Sequence, residues 1–165
     1  VLTEESDDFK VDYVKIDFTN VRRADPKTMP PDLKSIGRPD IYLARLTKGD
    51  NYDVLMFGNH GQVCEGTFSN VFLLKNGVIV TPSLNSGILD GITRMHVIKF
   101  FREKGLTVEE RFVEPQEVFY ADEVFLTHTS RGIVPVNQIG SIKTRSTELS
   151  RALSQQFEDY VKWLL

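Results

Sequence analysis

The chain has 165 residues, 41% of them hydrophobic and 26% charged, with a formal net charge of -3; one globular domain of this size buries roughly two thirds of the surface its unfolded form exposes. Its basic residues are scattered among acidic ones and no apolar run reaches the roughly 20 residues that span a bilayer, so neither nucleic acid nor membrane is expected as a partner. Cys64 is the single cysteine, which excludes an internal disulfide and suits a reducing, cytoplasmic setting. The opening stretch Val1 to Asp8 is acidic where a signal peptide would be basic, and the missing initiator Met points to a longer parent chain or a trimmed product.

In chain order, Val11 to Phe18 reads as a strand with Val14, Ile16 and Phe18 on one face, running into Arg22 and Arg23. The prolines of Met29-Pro30-Pro31-Asp32-Leu33-Lys34 then forbid a helix interior and deliver Lys34 on a stiff loop. Ile41, Leu43 and Leu46 predict a short helix closed by Gly49. Short strands follow at Asp53 to Phe57, Gln62 to Cys64, Asn70 to Lys75 and Val78 to Thr81, read as a meander. Asn76-Gly77 between the last two signals a type I′ hairpin, since both residues tolerate positive φ. Gly91-Ile92-Thr93-Arg94 opens a helix with Ile92, Met95, Ile98 and Phe101 at helical spacing, and Gly105 ends it. Leu106 to Phe112 alternates as a strand, Pro115 to Tyr120 reads as one or two helical turns, and Glu123 to Thr127 is another strand. Leu149, Leu153, Phe157, Tyr160 and Leu164 line a terminal helix that begins near Ser146, a suitable N-cap.

Few residues stand out chemically without further context. The turn Gly91-Ile92-Thr93 at a helix start offers unpaired N–H groups and a positive dipole end to an anion, as many helix starts do. His60, His96 and His128 lack metal-ligand spacing, so no metal is expected. Cys64 reads as a small packed side chain, and Tyr160 and Trp163 as core or subunit packing.

Longer runs are more informative. Gly61-Gln62-Val63-Cys64-Glu65-Gly66-Thr67-Phe68-Ser69-Asn70-Val71-Phe72 is followed by Thr81-Pro82 and then Gly87-Ile88-Leu89-Asp90-Gly91-Ile92-Thr93-Arg94. In order and separation these runs resemble the fold-type IV pyridoxal-phosphate enzymes, the class IV family of branched-chain aminotransferases, D-amino acid aminotransferases and aminodeoxychorismate lyases. The likeness extends back to Lys34 and forward through Glu123 to Ser130, nearly the whole chain.

The resemblance implies an α/β fold, the large C-terminal domain of the D-amino acid aminotransferase-like type, with a mixed, curved sheet flanked by helices. It also implies that residues 1–165 are a single cofactor-binding domain, without the family's smaller N-terminal domain and the phosphate-binding arginine that domain brings. Pyridoxal 5'-phosphate is the expected cofactor, because it supplies an electron sink and needs a Schiff-base lysine, a charge partner for its ring nitrogen and a phosphate anchor. By resemblance Lys34 is the catalytic lysine and forms the Schiff base, and Glu65 faces the ring nitrogen. Ser69 and Asn70 are cofactor-binding residues that also hold the Glu65 loop's own hydrogen bonds, with Gly66 admitting backbone close to the ring. Ile92, Thr93 and Thr129 take the phosphate, and Arg38, His128, Thr129 and Ser130 face the substrate.

The chain departs from the family at two places: Gly37 stands where relatives often carry Asn, and His128 where they commonly have Gly. The implied activity is class IV aminotransferase chemistry on an amino acid or keto acid by a homodimer. The alternatives are an aminodeoxychorismate lyase releasing pyruvate and p-aminobenzoate, and a non-catalytic binding or scaffold homologue. Arg22 and Arg23 do not occupy the place of the family's phosphate-binding arginine and are given no role.

Overall fold

A computed structural model describes residues 12–35 and 37–162. The predicted contributions of Val11, Trp163 and Leu164 lie outside the described residues. Seven strands form one mixed sheet: β1 (Val14–Arg22), β2 (Asp53–Phe57), β3 (Asn70–Lys75), β4 (Val78–Pro82), β5 (Val108–Arg111), β6 (Glu123–His128) and β7 (Gly132–Ile139) lie in the order β2-β1-β7-β6-β3-β4-β5. A two-residue strand, β8 (Ile142–Lys143), pairs with β7. The helices are α1 (Pro39–Leu46), α2 (Ile92–Glu103), α3 (Pro115–Tyr120) and α4 (Glu148–Lys162). The α/β class and the mixed, curved sheet are as expected.

Strand alternation sorts the core into two layers. Val71, Leu73, Val124, Leu126, Val134 and Val136 point to one face, where Val118 of α3 joins them. Phe72, Phe125 and Ile133 point to the other and meet Val97, Phe100 and Phe101 of α2 and Leu153 and Phe157 of α4. Helix α1 has its own small cluster, Ala44 on Val54 and Met56 of β2. The chain enters and leaves α1 between parallel strands, β1 and β2, and passes through α2 between another parallel pair, β4 and β5. Both helices are thus crossovers, which parallel pairing requires.

Several expectations are corrected. The four strands after α1 are not a meander: β2 pairs with β1, and only β3 and β4 form the hairpin, with Asn76 and Gly77 both at positive φ. Gln62 to Cys64 is not a strand but a single bridge, Val63 to Phe57. The predicted stripe of α2 faces outward at its start, Ile92 being 70% and Met95 51% exposed, while Arg94, Val97, Ile98, Phe100 and Phe101 form the buried face. Leu43 and Leu46 of α1 are likewise exposed, and Asp40 and Ala44 are the buried pair. Strand β7 carries no prediction; its Pro135 interrupts an otherwise apolar run, and proline is unusual within a central strand. It is accommodated at the start of the β1 ladder, whose first pair is Val14 with Val136.

Candidate active site

Glu65 lies on the loop between β2 and β3 and is 6% exposed. Its Oε1 is 2.8 Å from Arg23 Nη2, while its Oε2 accepts from the Leu89 N–H at 3.0 Å and from Asn70 Nδ2 at 3.1 Å. A carboxylate offers about four acceptor positions; with three occupied, one is left for a further donor. Burial pushes the carboxyl up to about 7 against the pull of Arg23, the Leu89 N–H and Arg38.

Arg23 is the residue that sequence reasoning passed over. It stands just past the end of β1 and is 3% exposed, with Nη1 donating to Asp40 Oδ2 at 2.7 Å. The signal lay in the strand phase, since Thr19, Val21 and Arg23 follow one another at period two on one face. Asp40 feels a strong upward push from burial, but the Ala24 N–H, Arg23 and Arg38 outweigh it and hold the group below the ordinary carboxylate range. Arg38 Nη2 is 3.4 Å from Asp40 Oδ2 and its Nη1 donates to the Leu33 carbonyl at 3.2 Å. Lys34 is exposed on its loop, and the residue before it is therefore tied to Glu65 through Arg38, Asp40 and Arg23 in sequence.

The Glu65 loop is pinned from below by Asp53, the fully buried first residue of β2. Its carboxylate accepts from the Thr67 N–H at 2.9 Å, Thr67 Oγ1 at 2.7 Å and Ser69 Oγ at 2.6 Å. Ser69 thus points at Asp53. A Cβ on Gly66 would sit 2.1 Å from Asp53 Oδ2, so this glycine is needed for the pin itself. Asn70 bridges two segments, donating to Glu65 and to the Leu89 carbonyl at 3.1 Å. A Cβ on Gly91 would come within 2.3 Å of Asn70 Oδ1, so the start of α2 and the Glu65 loop meet only because Gly91 has no side chain.

The first turn of α2 has no side-chain cap, which leaves the N–H groups of Ile92 and Thr93 open. Both residues line a groove of about 1390 Å³, together with Thr129, Ser130 and Arg131 from the β6–β7 turn and one side of α4. The β3–β6 register pairs Asn70 with Thr127, which places that turn just beyond the Glu65 contact. The Thr127 hydroxyl is buried without a partner. His128 is half-buried between Tyr52, whose hydroxyl is 2.5 Å from Nε2, and Ser130, whose Oγ is 3.0 Å from Nδ1. Burial, then Arg131, lower its proton affinity, leaving a neutral ring near pH 7.

A pyridoxal phosphate would find fitting partners here. An uncapped twelve-residue helix suits its phosphate, a buried carboxylate with one open acceptor position suits a protonated ring nitrogen, and an exposed lysine stands on a loop tied to that carboxylate. Among the described residues, no group of three or more His, Cys, Asp or Glu converges as a metal site, and no helix is long and apolar enough to cross a membrane.

Residues 3–139 match the family model described as amino-transferase class IV. A Thermotoga maritima protein named "Probable branched-chain-amino-acid aminotransferase" is 50% identical over 151 residues, covering 90% of this chain and 55% of that protein. The branched-chain-amino-acid aminotransferase of Escherichia coli K12 is 32% identical over 144 residues, 82% of this chain and 46% of that one. In three dimensions, the Thermobaculum terrenum branched-chain amino acid aminotransferase in its PLP form superposes with a TM-score of 0.84 at 31% identity, covering 90% of this chain and 51% of that chain. The chain therefore spans about half the length of the relatives it matches.

Proposed function

Because this chain belongs to the amino-transferase class IV family, we propose that it is the cofactor-carrying large domain of a pyridoxal-phosphate-dependent aminotransferase acting on branched-chain amino acids and their keto acids. Its likeness to proteins that bear that name, over 90% of its length in the nearest case quoted above, supports the substrate class. The observation that carries the mechanism is the unbroken polar path from the Lys34 loop through Arg38, Asp40 and Arg23 to buried Glu65.

Bound pyridoxal phosphate would supply the electron sink that acidifies the substrate Cα–H. The chain's own part is to hold and to move protons. Glu65, kept in place by Asn70 and the Leu89 N–H, would accept a hydrogen bond from the ring nitrogen and so keep it protonated, with the positive charge of Arg23 behind it. The open N–H groups of Ile92 and Thr93 and the hydroxyl of Thr129 would bind the phosphate. Lys34 would hold the cofactor covalently through its side-chain amine, and that amine is the base that would carry the Cα proton. Thr129, Ser130 and Arg38 face the substrate's polar end. A homodimer is part of the proposal, supported by the apolar Tyr42, Leu43 and Leu46 that α1 turns outward.

Incubation with pyridoxal phosphate followed by borohydride should give a stable adduct that peptide mass mapping places on Lys34. Lys34→Ala should keep its circular dichroism and lose both the adduct and the visible absorbance band. An adduct on another lysine, or none in folded protein, would refute the assignment.

A further inference from the structure

At the β6–β7 turn His128 stands in the middle of a hydrogen-bond chain. Tyr52, just before β2, donates or accepts at His128 Nε2 over 2.5 Å, and His128 Nδ1 is 3.0 Å from Ser130 Oγ. The three residues are held from the sides. The Phe68 ring meets His128 edge-on at 5.3 Å and Tyr52 at 5.4 Å. Arg131 lies 5.9 Å over the Tyr52 ring. Ser130 itself is exposed and lines the groove shared with Ile92 and Thr93.

The direction of this chain follows from acidity. A neutral imidazole presents one donor nitrogen and one acceptor. A phenol is a much stronger acid than a neutral imidazole N–H, so the favourable arrangement has Tyr52 O–H donating into Nε2. The ring proton must then sit on Nδ1 and donate to Ser130 Oγ. That uses a lone pair of Ser130 and leaves its own hydrogen free to turn into the groove. The opposite order would bind the Ser130 hydrogen to Nδ1 and present only lone pairs to the groove, repelling an anion.

Resting on the aminotransferase reading above, we propose that Tyr52 and His128 are positioning residues, a relay that fixes the Nδ1–H tautomer of His128 and so aims the Ser130 hydroxyl hydrogen at the carboxylate of the amino or keto acid. With Gly in place of His128 the chain from Tyr52 would have no middle member. Phe68 packs edge-on against both the imidazole and the Tyr52 ring and so limits their movement.

Two measurements test the relay, and the first needs no cofactor. Long-range 1H–15N correlation spectra should place the His128 proton on Nδ1 in the unaltered protein and show Nε2–H gaining population in Tyr52→Phe. In the cofactor-loaded protein, Tyr52→Phe should raise KM for the amino acid about tenfold, the scale of one hydrogen bond to a charged group, with kcat little changed. Ser130→Ala should do the same, and the double variant should lose no more than either single one. His128→Asn, which keeps a donor towards Ser130, should recover most of the loss seen in His128→Leu, and an amine lacking a carboxylate should react equally with all of these variants. An Nε2–H ring in the unaltered protein, or additive losses in the double variant, overturns the relay alone. A folded protein that takes up no pyridoxal phosphate overturns the functional reading and with it the substrate's place in the relay.

Discussion

Glu65 is placed where two forces oppose. Removal from water raises its proton affinity, and Arg23 with the Leu89 N–H lowers it, leaving the group near 7. Because this lies above the ordinary value of 4.5, the folded chain binds more protons than the unfolded one between those limits. The contribution to stability is present below about 4.5 and is lost as pH rises through about 7. Cofactor-free protein should therefore lose up to about 3 kcal/mol from this group across that window, and Glu65→Gln should remove that slope in urea titrations at pH 5 and 7.5. His128 contributes with the opposite sign but equally in both proteins, so the difference between them isolates Glu65. At this scale the Ile92-Thr93 turn could be proposed from its helix-start position, and Lys34 and Glu65 from the resemblance of the runs around them. Arg23, Asp53 and Tyr52 could not, because each acquires its role from a partner 14 or more residues away or from a strand phase read only once the strand's true limits are known.

Among the elements, α4 shows how a helix can begin on a side chain from elsewhere. Ser146 does serve at its start, with Oγ accepting from the Glu148 N–H at 3.0 Å, as its sequence position suggested. The larger part is played by Glu123 at the head of β6, buried and accepting from the Leu149 and Ser150 N–H groups at 2.9 and 2.8 Å and from both the Ser146 and Ser150 hydroxyls. A charged acceptor at a helix N-terminus combines capping with the helix dipole. Glu123→Ala should therefore cost about 2–4 kcal/mol, with Glu123→Gln intermediate, measured as a shift in denaturant midpoint at constant slope. Helix α2 carries the opposite lesson. Its periodicity was legible, but Ile92 lies at the groove and Met95 faces outward, so both are exposed and the burial stripe begins one face away.

Across the whole molecule, stability rests on two apolar layers divided by the sheet. The second layer is aromatic: Phe72 stacks on Phe125 at 5.2 Å, and Phe101 meets both edge-on at 6.3 and 5.8 Å. Phe125→Ala opens a cavity under both α2 and α4 and should cost about 3–5 kcal/mol, seen as a lower melting temperature. Phe119→Ala, at a partly exposed position on the other face, should shift it far less. The amino-acid order alone was enough for β2 and β3 and α3 to the residue and for the Asn76-Gly77 hairpin, because propensity, turn chemistry and spacing are written within a few residues of one another; the class of the fold and the Glu65 and Gly91 motifs followed from the resemblance those runs carry. Which strands are neighbours, that Pro135 sits inside a sheet, and that Arg23 rather than solvent faces Glu65 were settled by the folded chain. Those outcomes depend on ladder geometry and on burying charge beside charge across long stretches of sequence, and no local pattern encodes them.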